Sequence, residues 1–325
     1  MNKPFLLKPS AKDYLWGGNR LNDDFAKDID IDPLAETWEC STHPDGPSYV
    51  ASGEYLGQTL TEVLKNHPDY LGTHPRTKGE LPILIKFIDA KKDLSVQVHP
   101  TDEYANKCEN GQLGKTEMWY VLDAAKDASL VYGLKKDSTE AEVRAAIADG
   151  SLEKYLQKVP VKKNDLFFIE AGTIHAIGAG ALIAEIQENS NLTYRLYDYD
   201  RVDKHGNKRE LHVDKAMEVS NLKSMAEPKQ PLRVLKYRPG VAIESLSRCK
   251  YFEVNRMLVN TERRQEVKYR ADEVSFRTLL IYKGCGTISF AGESLNVFKG
   301  DCIFLPADSE EITILGQLEM LDVRC

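Results

Sequence analysis

The chain has 325 residues, of which 42% are hydrophobic and 29% are charged, a composition typical of a globular protein that folds without a membrane. Its length favours two domains, each with its own core. The formal net charge of −7, with no long basic run, excludes the electrostatic footprint of a nucleic-acid-binding protein. The longest apolar stretches, such as residues 81–85, are far too short to span a bilayer, and the N-terminus lacks the apolar length of a signal peptide.

The cysteines show neither CxxC spacing nor paired clustering, which argues against a disulfide framework and against a structural zinc knuckle. Such free cysteines fit a reducing compartment and predict a cytoplasmic protein. Any bound metal must therefore be held by histidines and carboxylates. The cysteines are Cys40, Cys108, Cys249, Cys285, Cys302 and Cys325.

Two local signals predict helices. Thr59 and Glu62 have the spacing of a capping box, and so do Thr139 and Glu142, which precede helix-favouring residues. The second signal predicts a small helical insert at roughly 137–158. Elsewhere, from residue 81 onward, short strand-like runs separated by Gly, Asn and Asp turns dominate, and they predict antiparallel barrels or sandwiches.

A plausible linker covers residues 221–240, which carry three prolines and few large apolar residues. Each side of it contains a similar strand-turn-strand pattern, at residues 161–178 and 295–316. The pattern suggests two copies of one β architecture, of which only the first retains a histidine. We therefore divide the chain into residues 1–228, which include the insert, and residues 229–325.

The stretch LSVQVHP, residues 94–100, alternates apolar and polar side chains. Side chains of an extended strand point to opposite faces in turn, so Ser95, Gln97 and His99 are predicted to share one face of a sheet. The alternation itself leaves open why a strand would place a hydroxyl, an amide and an imidazole in a row.

Further along the chain, Glu117 in GKTEMWYV and His175 in EAGTIHAIG add a carboxylate and a second imidazole. Zinc and other divalent ions favour these ligands. Each residue alone also fits an ordinary role: His99 at a strand end, Glu117 on a solvated strand, Gln97 as an edge amide, His175 in a turn. Their combination is what favours a metal site.

Several segments carry a family resemblance. LSVQVHP, GKTEMWYVL, AGTIHAIG and EIQENSNLTYRLYDYDR, together with the N-terminal DYLWGG and LAETWECSTHPDGPS, resemble the signature segments of the type I mannose-6-phosphate isomerases, zinc enzymes of the cupin superfamily. The resemblance covers about residues 5–220 in consistent order. It implies a mostly β fold of two cupin-type antiparallel barrels or jelly rolls with a small helical insert, the second being a degenerate cupin-like domain without metal ligands.

The resemblance also implies roles for individual residues. One Zn²⁺ per chain would be held by Gln97, His99, Glu117 and His175. Arg195, which matches the arginine of the family's YR segment, would be catalytic and stabilise an enediolate. Substrate and phosphate contacts would come from Lys115, Lys86 and Ser95. The implied reaction interconverts mannose 6-phosphate and fructose 6-phosphate in a monomer or weak homo-oligomer, with no nucleic-acid or membrane partner.

Trp16, Glu36 and Trp38 are expected to border the sugar pocket, whereas indoles are more often core residues. Glu170 stands where the family usually has proline, before the turn that presents His175. Since proline at this position mainly fixes the backbone conformation, His175 is still expected to act as a metal ligand. The other histidines are interpreted as structural or surface residues: His43, His67, His74, His205 and His212.

Two other functions remain open. A metal-binding cupin could act as a non-catalytic sugar-binding module or sensor, which would tolerate loss of Arg195. Two histidines and a carboxylate also describe the facial triad of non-haem iron oxygenases, although that class does not explain Gln97, Lys115 or Arg195.

Overall fold

The computed structural model describes residues 2–74, 76, 79–203 and 205–325, and strands dominate this part of the chain. The helices are α1 (Arg20–Asp23), α2 (Leu60–Asn66), α3 (Asp102–Cys108), α4 (Glu140–Ala148) and α5 (Val213–Val219), with 3₁₀ turns at Pro68–Leu71 and Leu152–Lys154. The strands are β1 (Phe5–Lys8), β2 (Ser10–Lys12), β3 (Glu36–Cys40), β4 (Tyr49–Val50), β5 (Ile83–Asp89), β6 (Val96–Val98), β7 (Glu117–Ala124), β8 (Ser129–Leu134), β9 (Leu156–Pro160), β10 (Leu166–Ile169), β11 (His175–Ile177), β12 (Ala181–Glu188), β13 (Tyr194–Tyr197), β14 (Leu235–Arg238), β15 (Val241–Arg248), β16 (Glu253–Asn260), β17 (Val267–Tyr269), β18 (Arg277–Phe290), β19 (Glu293–Phe298), β20 (Cys302–Leu305) and β21 (Ile312–Arg324). No helix in the described ranges is long and apolar enough to cross a membrane.

Both predicted capping boxes are confirmed. The backbone N–H of Glu62 donates to Thr59 Oγ1 at 3.1 Å, and the N–H of Thr59 donates back to the Glu62 carboxylate at 2.8 Å. Thr139 and Glu142 form the same pair at the start of α4. The predicted insert at 137–158 contains this helix, but its last residues belong to β9, which pairs with β8.

Two antiparallel sheets face each other and form the first barrel, as predicted. One has the strand order β10-β7-β12-β5-β3-β2, and the other has the order β13-β6-β11-β8-β9. An apolar cluster fills part of the space between them, with Ile88, Val121 and Ile183 from the first sheet and Leu130 and Ile177 from the second. Ile88 and Ile177 of this cluster also border a cavity lined by polar side chains.

The central strands of the six-stranded sheet are buried on both faces. On β7, Met118 and Tyr120 belong to a large apolar cluster that also contains Phe252 and Phe276 from the C-terminal part of the chain. The alternate residue Trp119 points into the first barrel. This two-sided burial explains why β5 and β12 lack the usual exposed polar face.

The remaining sheet has the order β14-β15-β16-β21-β18-β20-β1-β4, with β17 and β19 pairing β21 and β18. It encloses its own apolar core, which includes Leu279, Ile288 and Ile314. Strands β1 and β4 come from the N-terminus, and β1 pairs with β20 with Phe5 opposite Phe304. The division at residue 228 stays a prediction, and this sheet contains strands from both sides of it.

Part of the predicted linker at 221–240 forms a strand of the C-terminal sheet. β14 begins within it at Leu235 and pairs with β15. Before that strand, the Gln230 side chain accepts the Leu166 N–H at 2.7 Å and donates to the Leu166 carbonyl at 3.1 Å, so the segment lies along the edge of β10. The proline-rich segment is therefore tied to the first barrel at Gln230, although most of its side chains are exposed.

Replacement of Phe304 by Ala tests the contact between the two ends of the chain. The Phe304 ring is fully buried and stacks between Phe5 and Phe276, with both pairs of centroids 5.3 Å apart. Since the truncation leaves a cavity in this stack, we expect a loss of about 3–5 kcal/mol in the free energy of unfolding, measured by urea denaturation. The control Phe298→Ala removes a ring that is 59% exposed and should change little. Equal losses in the two variants would contradict the role assigned to the stack.

Candidate active site

Strand β6 places the predicted polar residues on one face. Val96 and Val98 are fully buried in a cluster on the other side of the sheet. β6 lies between β11 and β13, so that Gln97 is the cross-strand neighbour of both His175 and Arg195. The alternation in LSVQVHP therefore brings an amide, an imidazole and a guanidinium to one patch of the five-stranded sheet.

Glu117, at the start of β7, approaches this patch from the facing sheet. Its Oε2 lies 3.5 Å from His99 Nε2, and its Oε1 lies 3.4 Å from His175 Nε2. The candidate ligand atoms of the three residues all lie within 4.8 Å of one another. Gln97 Nε2 lies 3.4 Å from His175 Nε2, which places the amide at the edge of the same cluster.

The hydrogen bonds of the two imidazoles prepare them for a metal. His99 Nδ1 lies 2.8 Å from the Leu192 carbonyl, and His175 Nδ1 lies 2.8 Å from the Thr173 carbonyl. Since a carbonyl only accepts, each Nδ1 carries the proton and each Nε2 directs its lone pair into the cluster. The oxygens of Glu117 are fully buried and accept no well-aligned hydrogen bond, so lone pairs converge where a cation would satisfy them.

The charges of the cluster agree with this arrangement. Burial lowers the pKa of His175 to about 4 and that of His99 well below its ordinary value, so both imidazoles are neutral. Burial and the nearby Glu185 carboxylate raise the pKa of Glu117 to about 7. Two neutral imidazoles and a carboxylate that lacks aligned donors form a donor set suited to a divalent ion.

The turn that presents His175 forms without the proline usual in this segment. Glu170 is exposed, and its carbonyl accepts the Thr173 N–H at 3.1 Å. Gly172 adopts a φ of +91°, which an L side chain rarely adopts. The backbone shape is thus set by glycine and a hydrogen bond, and His175 reaches the cluster as expected.

Two lysines lie beside the cluster. Lys115 Nζ is 3.1 Å from His99 Nε2 and 2.8 Å from Glu117 Oε2. Lys86 Nζ lies 3.5 Å from Glu36 Oε2 and 3.3 Å from Glu185 Oε1. Burial alone would lower the pKa of Lys86, but these two carboxylates raise it above its ordinary value, so the lysine stays charged inside the barrel.

A cavity of about 240 Å³ opens above these side chains. Gln97 lies at its floor, whereas Arg195 donates from Nε to Ser95 Oγ at 3.3 Å and from Nη1 to the Glu210 carbonyl at 2.8 Å. The residues that line the cavity are Tyr14, Trp16, Glu36, Lys86, Ile88, Leu94, Ser95, Gln97, Lys115, Trp119, Ile177, Glu185, Asn191, Thr193, Arg195 and Arg209. The eight side chains given a metal, catalytic or substrate-binding role from the sequence thus lie in the metal cluster or line this cavity.

Matches to known proteins agree with the geometry. Residues 5–153 match the model of the phosphomannose isomerase type I catalytic domain, and residues 242–324 match that of the mannose-6-phosphate isomerase cupin domain. The mannose-6-phosphate isomerase ManA of Bacillus subtilis is 38% identical over 98% of both chains. The chain belongs to the type I phosphomannose isomerases.

Solved structures share the complete fold of this phosphomannose isomerase family member. The crystal structure of the mannose 6-phosphate isomerase from Bacillus subtilis superposes with a TM-score of 0.90 at 35% identity, over 99% of each chain. A mannose 6-phosphate isomerase described as holo and zinc bound shares the fold with a TM-score of 0.76 at 15% identity, again over 99% of each chain. The predicted cupin architecture is confirmed.

The border of the pocket differs from the expectation at one residue. Trp16 and Glu36 line the cavity, but Trp38 does not. It is fully buried behind Glu36, to which its indole Nε1 donates at 2.8 Å. Of the other histidines, His67 stacks on Tyr70 with ring centroids 4.7 Å apart, which agrees with a structural role.

Sequence reasoning missed two carboxylates that hold the segment preceding Glu117. The N–H of Gly114 donates to Asp102 Oδ1 at 3.0 Å, and that of Thr116 donates to Glu188 Oε1 at 2.9 Å. A Cβ on Gly114 would lie 2.4 Å from the Asp102 backbone nitrogen, so the close approach requires glycine. These bonds fix the backbone that carries both Lys115 and Glu117.

Sequence reasoning also missed Glu185, which lies opposite Lys86 on the adjacent strand. Its carboxylate accepts the indole N–H of Trp119 at 2.9 Å. Burial alone would raise the pKa of Glu185, but Lys115 and Lys86 hold it below its ordinary value. The signal in the sequence that could have identified Glu185 is its position as the single carboxylate in the apolar run ALIAEI, residues 181–186.

Replacement of Lys86 by Met tests the ion pairs of the phosphomannose isomerase cavity. The substitution leaves the buried Glu36 carboxylate without its cation and Glu185 with only Lys115, 4.0 Å away, and we expect a loss of about 3–5 kcal/mol in the free energy of unfolding. The matched control Lys91→Met removes an exposed lysine that follows the same strand. Urea denaturation at neutral pH measures the free energy of unfolding of both variants. Equal values for Lys86→Met and Lys91→Met would contradict a structural role for the ion pairs.

Proposed function

We propose that this chain interconverts D-mannose 6-phosphate and D-fructose 6-phosphate by proton transfer through an enediol, with one Zn²⁺ per chain held by Gln97, His99, Glu117 and His175. The observation that carries the proposal is the position of this cluster, which adjoins a polar cavity lined by Arg195 and paired lysines. The names of its full-length relatives support the same reaction.

The donor set supports zinc. Imidazole and carboxylate donors suit zinc, whereas calcium and magnesium prefer oxygen ligands. Both imidazoles are already oriented through Nδ1, and Glu117 lacks an aligned donor. A structure with this fold is described as zinc bound. When bound, such an ion polarises a substrate carbonyl and stabilises the negative charge of an enediolate.

The protein's own groups would bind and orient the sugar. Arg195 is proposed to stabilise the enediolate charge, since its Nε and Nη1 donate only to the neutral acceptors Ser95 Oγ and Glu210 O. Lys86, Lys115 and Ser95 line the same cavity and are proposed as substrate-binding residues. The indoles of Trp16 and Trp119 would form apolar walls that exclude water from the enediolate.

We also infer a cytoplasmic location, which is supported by the cysteines, all of which are free thiols. The expectation of a monomer or weak homo-oligomer stays a prediction, as does the absence of nucleic-acid and membrane partners.

Metal removal tests the reaction and the cofactor together. Treatment of the purified protein with a chelator should abolish conversion of mannose 6-phosphate to fructose 6-phosphate, because the enediolate loses its cation, and added Zn²⁺ should restore it. A coupled assay of fructose 6-phosphate measures the rate, and elemental analysis measures bound zinc per chain.

Two histidine variants control that experiment. His175→Ala should bind less zinc and stay inactive after zinc addition, whereas His205→Ala, which changes an exposed imidazole, should behave as the original protein. A folded, zinc-loaded protein without isomerase activity would contradict the proposed reaction and favour a sugar-binding module.

Replacement of Arg195 by Ala tests its proposed catalytic role. Loss of one donor to a developing oxyanion lowers kcat by about 10²–10³-fold in well-studied enzymes, and we expect a similar loss with normal zinc content. Arg238→Ala removes an exposed arginine of β14 and serves as the control. Normal turnover by the Arg195 variant would rule out the assigned role.

A further inference from the structure

Cations of two kinds line the cavity. Lys86 and Lys115 have side chains that are only 4% and 5% exposed, and each lies within 3.5 Å of a buried carboxylate. Arg195 and Arg209 are half-buried and come from β13 and the segment that follows it. The lysines therefore belong to the floor of the cavity and the arginines to its rim.

Arg209 lines the cavity and is held by two hydrogen bonds to Asp198. Its Nε donates to Asp198 Oδ2 at 2.8 Å, and its Nη2 donates to Asp198 Oδ1 at 2.5 Å. A guanidinium has five N–H donors in a fixed plane, so Nη1 and the second N–H of Nη2 remain for a ligand. The two bonds to Asp198 fix the side chain beforehand, which reduces the entropy lost when a ligand binds.

The charge around Asp198 is positive. Arg201 Nη2 also lies 2.5 Å from Asp198 Oδ1, so one carboxylate is shared by two guanidiniums. Arg195 adds a third cation nearby, and burial together with the charge of Arg209 lowers its pKa. This positive excess suits a phosphate monoester, which carries about −1.5 to −2 charges at neutral pH.

The order of the contacts in the cavity also supports phosphate binding at Arg209. A series of contacts leads away from the metal cluster, from His175 to Gln97 at 3.4 Å, then to Ser95 at 3.4 Å and to Arg195 at 3.3 Å. Arg209 lies next to Arg195 on the cavity wall. A sugar bound with C1 and C2 between the cluster and Arg195 would extend past Arg195, and its 6-phosphate would then lie beside Arg209.

We propose that Arg209 binds the 6-phosphate group of the substrate and so determines specificity for phosphorylated sugars, in place of the lysines expected from the family resemblance. Lys86 and Lys115 are buried and already paired with carboxylates, which leaves them less able to neutralise a dianion. The inference rests on the proposed isomerase function for the identity of the sugar, and the arginine pair itself indicates only a phosphate monoester. Arginine suits this role because its planar donors match phosphate oxygens bidentately.

Steady-state kinetics of Arg209→Met and Arg209→Lys test the proposal. A charged hydrogen bond contributes enough that its loss should raise KM for mannose 6-phosphate by about 10–100-fold in the Met variant, with kcat and zinc content nearly unchanged. The Lys variant keeps the positive charge but loses the planar pair of donors. Its KM should therefore lie between those of the original protein and the Met variant. Turnover of unphosphorylated mannose, however slow, should be the same in all three proteins.

Lys208→Met is the matched control. It removes one positive charge at the adjacent position, where Lys208 is 63% exposed and pairs with exposed Asp200 at 2.6 Å. An exposed pair of this kind contributes little, so KM should stay close to that of the original protein. A KM increase in this control equal to that of Arg209→Met would show a general field effect and overturn the specific role.

Direct binding separates this inference from the proposed reaction. Titration of the original protein with inorganic phosphate, followed by tryptophan fluorescence because Trp16 and Trp119 line the cavity, should show saturable binding that Arg209→Met weakens at least as much as it raises KM. This readout holds even if the protein does not isomerise mannose 6-phosphate. Unchanged phosphate binding, or an equal loss of kcat/KM for mannose and mannose 6-phosphate, would overturn the proposal.

Discussion

The ion pairs of Lys86 with Glu36 and Glu185 allow three charges to exist inside the first barrel. An unpaired charge in such an interior costs several kcal/mol, so each of these side chains depends on the others. The three residues lie on β3, β5 and β12, and Lys86 is directly opposite Glu185. The contacts that neutralise the charges therefore also link the three paired strands that line the polar cavity.

This alignment also ties the site to the C-terminal part of the chain. Alternate residues of β7 serve two packing layers: Glu117 and Trp119 face the cavity, whereas Met118 and Tyr120 pack towards Phe252 and its neighbours. A sheet with one solvated face could not hold the cluster so far from water. The second barrel has no histidine, yet it covers the back of the sheet that carries a metal ligand, and this gives it a structural reason to be present.

Local sequence patterns were sufficient to predict several features of the fold and the site. Alternation in residues 94–100 predicted the shared face of Ser95, Gln97 and His99, and paired Thr and Glu residues predicted two helices, because strand pleat and helix caps depend on neighbours only a few residues apart. The role of Glu185 and the pairing of Asp198 with Arg209 could not be predicted in this way. They depend on cross-strand registers and on a turn after β13, which a single sequence does not specify. Trp38 shares a face of β3 with Glu36, but it is fully buried and does not line the cavity, because burial at a given strand position depends on the neighbouring strands.

The pairing of β1 with β20 has a consequence for biosynthesis. Phe5 and Leu7 are made long before their partners Phe304 and Cys302. At about 5–20 residues per second, the ribosome needs on the order of tens of seconds to make the intervening chain. Until then β1 can pair only with β4, its other neighbour, and its second edge stays open to chaperones.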